Sequence, residues 1–443
     1  MTASDRLKVH FVWTAWERLH RLNYNIPPLG VLRVAGQTPA DVEVRFTDEM
    51  VSPVDLQTDA DIIALSSLTP SAPHAYELAA AFRERGKYVV LGGAHASIAP
   101  EDAARHVDTV FVGEAEGLWA TFLEDFRRGR PERLYRRPDL PSLAGLPPTR
   151  RDLLATRVYP YENPVEHGIE SIELSRGCTS RCAYCLVPRI QGDSFRNRPL
   201  DEIDREFASV ADTDGIIFFT DNNLLGNWSH TRQALELLKR HGKDWFGLLA
   251  PEDTARDPEV LELLLQSGLC GVYGTVKAIS GKEDAQELRR RITALKRLGD
   301  GGVVIIATFA LGWDDHPPEV FSRTVEFCVE AGLDVPEFII NTPFPGSRLH
   351  QRYAEEGRLL THDWAMYNGN HCVYRPKLMS AEALEAGYRW CYEELYRDVD
   401  RDKALYDAFR DLVLCAMIRS RRRRREREQD DSAGLGEGPA RRR

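Results

Sequence analysis

The chain has 443 residues, of which 43% are hydrophobic, and its formal net charge is -10. This length supports two to three domains with sizeable cores, and the negative charge argues against a general nucleic-acid binder. No apolar run approaches the ~20 residues that a membrane span needs, and no signal peptide opens the sequence, so we expect a cytoplasmic protein that does not enter a membrane.

Residues 1–137 predict a separate α/β domain in which short apolar strands alternate with helices. The predicted strands are Leu7–Trp13, Val42–Phe46, Ile62–Ser66, Tyr88–Leu91 and Thr109–Val112, and the predicted helices are Leu29–Gln37, His74–Arg85 and Gly117–Arg128. This alternation is typical of a doubly wound, Rossmann-like sheet, which binds ligands beyond the carboxyl ends of its strands. Three strands are followed there by Ser66-Ser-Leu-Thr69, Gly92-Gly-Ala-His95 and Gly113-Glu-Ala-Glu116.

A proline-rich linker is predicted over residues 138–165, and a cysteine motif follows it. Cys178, Cys182 and Cys185 are separated by three residues and then two, so one short loop can turn three thiolates toward a common point, as iron–sulfur ligation requires. Three cysteines leave one iron of a four-iron cluster open to a ligand that is not protein. The motif therefore predicts a cluster that can bind and reduce a substrate.

A zinc site, a disulfide framework and chance clustering each account for these cysteines less well. A zinc site usually takes four ligands in two pairs, and the chain has no second pair of this spacing. A disulfide framework requires an oxidising compartment, and eight cysteines in 443 residues is a low density for one. Chance clustering of buried thiols would not account for the fitting residues on either side.

Residues 166–350 repeat a strand–helix unit six times, which predicts a parallel sheet. Residues 351–418 are rich in aromatic side chains and predict a helical segment, and residues 419–443 have the composition of a disordered basic tail. The six predicted strands of the repeat are near Ile169–Leu174, Gly215–Thr220, Trp245–Ala250, Gly271–Val276, Val303–Phe309 and Glu337–Asn341.

With Tyr184 before the last cysteine, the motif reads C-x-x-x-C-x-aromatic-C and resembles that of the radical S-adenosylmethionine (AdoMet) enzymes. The resemblance implies a partial (β/α)6 barrel and a [4Fe–4S] cluster on Cys178, Cys182 and Cys185, whose open iron binds AdoMet. One electron, from a donor such as flavodoxin or ferredoxin, then cleaves AdoMet to methionine and a 5′-deoxyadenosyl radical.

Further strand ends resemble AdoMet-binding segments of the same family. Asp221 and Asn222 follow the second strand of the repeat and are implied contacts of the methionyl group or the substrate. Gly312, after the fifth strand, resembles the glycine that lets the backbone approach adenine, and Thr342 and Pro343 begin a loop typical of the sixth. Lys277 stands where relatives often have a carboxylate, which puts that contact in doubt.

The first domain resembles the cobalamin-binding domain of class B radical AdoMet methyltransferases. The resemblance implies that Ser66, Leu68, Gly92, Gly93, Gly113 and Glu114 hold the cofactor. The family's aspartate–x–histidine–x–x–glycine motif is absent, so either cobalamin is bound without a histidine below cobalt, or the domain only shapes the substrate site. We expect His95 to be a hydrogen-bonded loop residue and no cobalt ligand.

Together these features predict a cobalamin-dependent enzyme that methylates an unactivated carbon of a small molecule of natural-product type. A cyclisation or rearrangement by the same fold is the first alternative, and a catalytically silent binding protein is the second. A methylthiotransferase is disfavoured, because such enzymes carry further cluster cysteines near the N-terminus and this chain has none before Cys178.

Overall fold

The computed structural model describes residues 6–15, 26–154, 168–213 and 215–397. In these ranges two six-stranded parallel sheets follow one another along the chain, with a two-stranded antiparallel ribbon at the start of the second. The described strands are β1 (Lys8–Trp13), β2 (Glu43–Asp48), β3 (Ile62–Ser66), β4 (Tyr88–Gly92), β5 (Thr109–Val112), β6 (Leu134–Arg136), β7 (Ile169–Ile172), β8 (Ser175–Arg176), β9 (Arg196–Asn197), β10 (Ile216–Phe219), β11 (Trp245–Leu248), β12 (Leu269–Thr275), β13 (Val304–Leu311) and β14 (Val335–Ile340).

Helices separate most of these strands. The described α-helices are α1 (Leu29–Gly36), α2 (Ala72–Glu84), α3 (Gly93–Ile98), α4 (Pro100–Ala103), α5 (Leu118–Arg127), α6 (Val187–Ile190), α7 (Leu200–Val210), α8 (Trp228–His241), α9 (Pro251–Thr254), α10 (Pro258–Gln266), α11 (Ala285–Asp300), α12 (Val320–Ala331), α13 (Arg348–Glu355) and α14 (Ala381–Leu395). Of the chain that the structure describes, no helix is both long enough and apolar enough to cross a bilayer.

The first sheet has the strand order β2-β1-β3-β4-β5-β6. The order reverses between β1 and β3, and at such a switch point an open sheet leaves a crevice for a ligand beyond its strand ends. Five strands lie where apolar runs predict them. The sixth, β6, is missing from the sequence prediction, because its three residues are buried only at Tyr135 and form no apolar run.

Side chains alternate across this sheet and form a core on each face. Val12 and Phe82 belong to the core beneath α2, whereas Phe11, Val31 and Trp119 belong to the core that holds α1 and α5. Helices therefore cover both faces, which confirms the predicted doubly wound fold.

The second sheet has the order β14-β13-β12-β11-β10-β7, so each strand lies beside its predecessor in this series. Among the described strands no pairing joins β7 to β14, and the sheet is an open (β/α)6 barrel, as predicted. Phe218, Phe246 and Ile306 pack inside it. The cysteine loop follows β7, at the end of the barrel where the strands terminate and where such barrels carry their chemistry.

The segment after the barrel packs back onto its last strand. The Tyr392 hydroxyl, on α14, donates to the Phe338 carbonyl (2.9 Å) and accepts from the Phe338 amide (2.8 Å). The helical prediction for 351–418 thus applies to part of the described segment. Residues 398–418 and the predicted tail at 419–443 lie outside the described residues.

Candidate functional site

The cysteine loop is closed at its base by the β8–β9 ribbon, in which Arg176 pairs with Arg196. Cys178 is buried, Cys185 is half-buried and Cys182 is exposed, and all three are free thiols. Gly177 has a φ of +93°, and a Cβ there would lie 2.1 Å from the Ser194 carbonyl oxygen. The residue before the first cysteine must therefore be glycine for the loop to close.

The three thiols lie in one short loop, as ligands that each take a different iron of a cluster would. In the described ranges no three histidine, cysteine or carboxylate side chains are arranged around one metal position. Asn223 Nδ2 lies 3.6 Å from Cys178 Sγ, and burial raises the pKa of the Cys185 thiol. The assignment of the cysteines as cluster ligands stays a prediction.

A cavity of about 1150 Å³ lies beside this loop, at the mouth of the barrel, and is called the barrel cavity below. Cys182, Tyr184 and Thr342 line it. The Tyr184 ring meets the Trp313 ring edge to face at 5.6 Å between centroids, and burial raises the pKa of its hydroxyl to about 12. Pro343 is buried and lies outside the cavity lining.

Asp221 does not face this cavity. Its carboxylate accepts hydrogen bonds from the amides of Leu174 (2.8 Å) and Ser175 (2.7 Å) and from the Ser175 hydroxyl (2.8 Å). Burial raises its pKa to about 7. The side chain is 1% exposed, so the predicted direct contact with AdoMet is not supported: Asp221 instead fixes the chain just before the cysteines.

The structure also places Gly312 and Asn222. Gly312 has a φ of +87°, and a Cβ there would lie 2.4 Å from Tyr374 Oη and 2.5 Å from Leu384, so this packing alone requires glycine, and the approach to adenine stays a prediction. Asn222 lines a different cavity, near the first sheet, and donates to Gln191 Oε1.

The sequence prediction missed two buried polar residues of the barrel cavity. His316 is 4% exposed and Asn341 is 3% exposed, and neither His316 Nδ1 nor Asn341 Nδ2 has a hydrogen-bond partner among the described residues. Burial lowers the pKa of His316 to about 4, so its imidazole is neutral. Both follow barrel strands, where polar residues are candidates for ligand contacts. Lys277 lies at the mouth, 3.7 Å from Glu283.

A second cavity, of about 760 Å³, lies beyond the strand ends of the first sheet and is called the sheet-edge cavity. Of the predicted cobalamin contacts, six line it: Ser66, Leu68, Gly92, Gly93, Gly113 and Glu114.

Gly93 forms part of the wall because of its own geometry. Its φ is +92°, and a Cβ would lie 2.7 Å from the Ser67 carbonyl oxygen, so only glycine lets the β3 and β4 ends approach this closely. Gly92 is less constrained, since its Cβ would meet Phe111 at 3.7 Å. Small residues therefore form the wall of the cavity beside these two glycines.

No histidine belongs to the described lining of the sheet-edge cavity. His95 is fully buried, and its Nε2 lies 2.8 Å from the Tyr76 hydroxyl. It lies in α3 and not in a loop, which corrects one part of the prediction, while its hydrogen bond agrees with the other. Burial lowers its pKa to about 4.

Glu114 needs the largest reinterpretation. Its carboxylate accepts from Arg176 Nη1 (2.9 Å) and Nη1 of Arg196 (3.1 Å), which flank the cysteine loop in the β8–β9 ribbon. Arg176 also binds Glu116 (2.6 Å) and Glu173 (2.8 Å). Although Glu114 borders the cavity, its charge is engaged in joining the first sheet to the base of the cysteine loop.

The two cavities adjoin. Four residues line both of them: Leu68, Ala94, Leu186 and Tyr273. Two come from the first sheet domain, one from the cysteine loop region and one from β12. A ligand in the sheet-edge cavity would therefore lie next to a ligand in the barrel cavity, with the cysteine loop beside both.

Comparisons with known proteins match two family models to the two parts of the chain that contain the two sheets. The family model of the radical SAM superfamily matches residues 172–345, and that of the B12 binding domain matches residues 18–123. The chain is 28% identical over 392 residues to a bacteriochlorophyllide d C-8(2)-methyltransferase of Chlorobaculum tepidum, covering 83% of this chain and 84% of that protein.

Two other similarities bear on function and fold. The chain is 24% identical over 403 residues to an anaerobic magnesium-protoporphyrin IX monomethyl ester cyclase of Rubrivivax gelatinosus, covering 81% of this chain and 72% of that protein. The radical S-adenosylmethionine methyltransferase TsrM of Kitasatospora setae has the same fold, with a TM-score of 0.67 at 16% identity over 96% of this chain and 99% of that one.

Proposed function

Since the chain belongs to the cobalamin-dependent radical AdoMet enzymes, we propose that it methylates an unactivated carbon of a small-molecule substrate. The cofactors of this family are a [4Fe–4S] cluster, AdoMet and cobalamin, and together they supply one-electron cleavage of AdoMet and a transferable methyl group. The substrate carbon would be reached in the barrel cavity.

The adjoining cavities are the observation that carries this proposal. Methyl transfer requires the methyl carrier and the substrate carbon to meet without bulk water, and the two cavities share four lining residues. Cobalamin would lie against Ser66, Leu68, Gly92, Gly93 and Gly113, and no histidine belongs to the described lining of that cavity. The cysteine loop would hold the cluster on Cys178, Cys182 and Cys185.

The chain's own residues would position the reactants. Tyr184 and Thr342 would contact AdoMet, and the unpartnered His316 Nδ1 and Asn341 Nδ2 would hydrogen-bond to a ligand in the same cavity. Apolar side chains, among them Val276, Ala310 and Ile339, form part of the remaining wall beside charged ones, so part of the substrate surface would be apolar. A one-electron donor such as flavodoxin or ferredoxin would supply the electron.

The test uses AdoMet with a trideuterated methyl group. Reconstituted protein, supplied with hydroxocobalamin and dithionite under anaerobic conditions, is incubated with a small-molecule extract of the source organism. We expect a product that gains the labelled methyl group, with one 5′-deoxyadenosine and one S-adenosylhomocysteine per product. Replacement of Cys178, Cys182 and Cys185 by alanine should remove both the iron and the 5′-deoxyadenosine. An unchanged iron content in that variant would contradict the cluster assignment.

The similarity to a cyclase favours one alternative function, a radical cyclisation or rearrangement without methyl transfer. The same incubation separates the two. A product of unchanged carbon count, formed with 5′-deoxyadenosine but without S-adenosylhomocysteine, would support the alternative and contradict methylation.

A further inference from the structure

The outer surface of the cysteine loop is open to a macromolecule. Thr179, Ser180 and Arg181 are exposed and lie between Cys178 and Cys182 in the chain. A partner that touches Arg181 would therefore be separated from the cluster ligands by the thickness of one loop. This face and the barrel cavity lie on the same loop, since Cys182 also lines that cavity.

Three exposed arginines form a connected basic surface around this loop, called the arginine rim here: Arg181, Arg189 and Arg348. Arg348 donates to the Arg181 carbonyl, and a Cβ at Gly346 would lie 3.0 Å from Arg189 Nε, so the Arg189 side chain lies across that glycine. Two distant segments thus contribute to one surface.

The rim differs from its surroundings in charge balance. The neighbouring Arg176 and Arg196 bind carboxylates, whereas within the described ranges none of the three rim arginines forms an ion pair with a carboxylate. The sequence stretch 177–195 contains two of the rim arginines and a single acidic residue, Asp193. In a chain of net charge -10, an uncompensated basic surface would attract an acidic partner at this place.

We propose that the arginine rim is the docking surface for the carboxylate-rich face of a one-electron donor protein. The inference rests on the proposed function, because it assumes that the three cysteines hold a cluster that is reduced. The donor loses one electron and the cluster gains it, and no proton or chemical group passes between the two proteins. Electron-transfer encounters use small interfaces, and charges at their rims mainly determine the rate of association.

The test compares two reductants. Flavodoxin, kept reduced by its reductase, must dock, whereas dithionite is a small anion that needs no protein interface. In Arg189→Glu and Arg348→Glu we expect the ratio of the flavodoxin-driven to the dithionite-driven rate of 5′-deoxyadenosine formation to fall roughly tenfold. Higher salt should lower the flavodoxin-driven rate of the unmodified protein more than that of either variant. Ferredoxin in place of flavodoxin distinguishes the two donor classes.

Arg85→Glu is the matched control, since Arg85 is exposed, forms no ion pair with a described carboxylate and lies at the end of α2. Its ratio should equal that of the unmodified protein. An unchanged ratio in both rim variants, or an equal fall in the control, would overturn the proposal. Equilibrium binding of oxidised flavodoxin to the same four proteins decides the question independently of turnover, so a failure of the proposed reaction is distinguishable from a failure of docking. The rim variants should bind it more weakly than the control.

Discussion

Replacing Glu114 by glutamine tests whether the first sheet anchors the cysteine loop. The substitution keeps the shape of the side chain and removes its charge. Arg176 retains Glu116 and Glu173, but Arg196 loses its one carboxylate partner among the described residues and keeps only the carbonyls of Pro141 and Gln191. The loss of stability should therefore be confined mainly to the β8–β9 ribbon that closes the cysteine loop.

The size of the effect follows from burial. Breaking a buried ion pair by removing one partner costs about 3–5 kcal/mol. The Arg196 side chain is 16% exposed, and the new amide oxygen can still accept one hydrogen bond, so we expect about 2–3 kcal/mol. If that loss appears as local opening, amides of residues 177–195 should exchange roughly 30- to 150-fold faster. The Cys178 amide, bonded to the Gly192 carbonyl at 3.3 Å, is the most direct reporter.

Hydrogen exchange followed by mass spectrometry measures this opening without assuming that the two domains unfold together. Glu124→Gln is the control, because its pair with Arg128 is exposed and worth at most about 1 kcal/mol. Adding Arg196→Gln to Glu114→Gln should restore part of the protection by removing the unpaired charge. Unchanged exchange in Glu114→Gln would refute the anchoring role.

Three further predictions concern residues of the two cavities and the buried Asp221. Gly93→Ala should empty cobalamin from protein made with hydroxocobalamin while Gly92→Ala retains it, because only the first Cβ meets backbone, at 2.7 Å; equal cobalamin absorbance in both would contradict this. Asp221, with a folded pKa of about 7 against ~3.9 unfolded, contributes stability that is complete below the unfolded value and is lost as the pH rises through 7, at most about 1.4 kcal/mol per pH unit. In Asp221→Asn the midpoint of chemical denaturation should therefore depend less on pH between about 4 and 7, and an identical dependence would contradict the titration. Asn341→Leu should weaken AdoMet binding to the cluster-loaded protein by roughly 5- to 150-fold, measured by equilibrium dialysis, if its unpartnered amide binds AdoMet, and unchanged affinity would assign that amide to another ligand.

The fold was largely predictable because strands of a parallel sheet are buried on both faces and appear as continuous apolar runs. The sequence also indicated that the cysteines follow β7 and that Gly92 and Gly93 lie at the carboxyl end of β4. The direction of each side chain was not predictable. Gly312 meets Tyr374, and Asp221 binds Ser175, which lie 62 and 46 residues away in the chain, and no local pattern reveals such partners.

For the same reason, the sequence does not reveal which contacts hold the two cavities side by side. Five arginines and five glutamates form one connected, charge-balanced cluster across the two sheets, and every charge in it must be paired because burial is costly otherwise. Arg33 reaches Glu206 over 173 residues, and Glu114 reaches Arg176 over 62. A rotation of one sheet against the other would separate several pairs at once. The ion pairs thus restrain the placement of the sheet-edge cavity against the barrel cavity, and the proposed reaction depends on that placement.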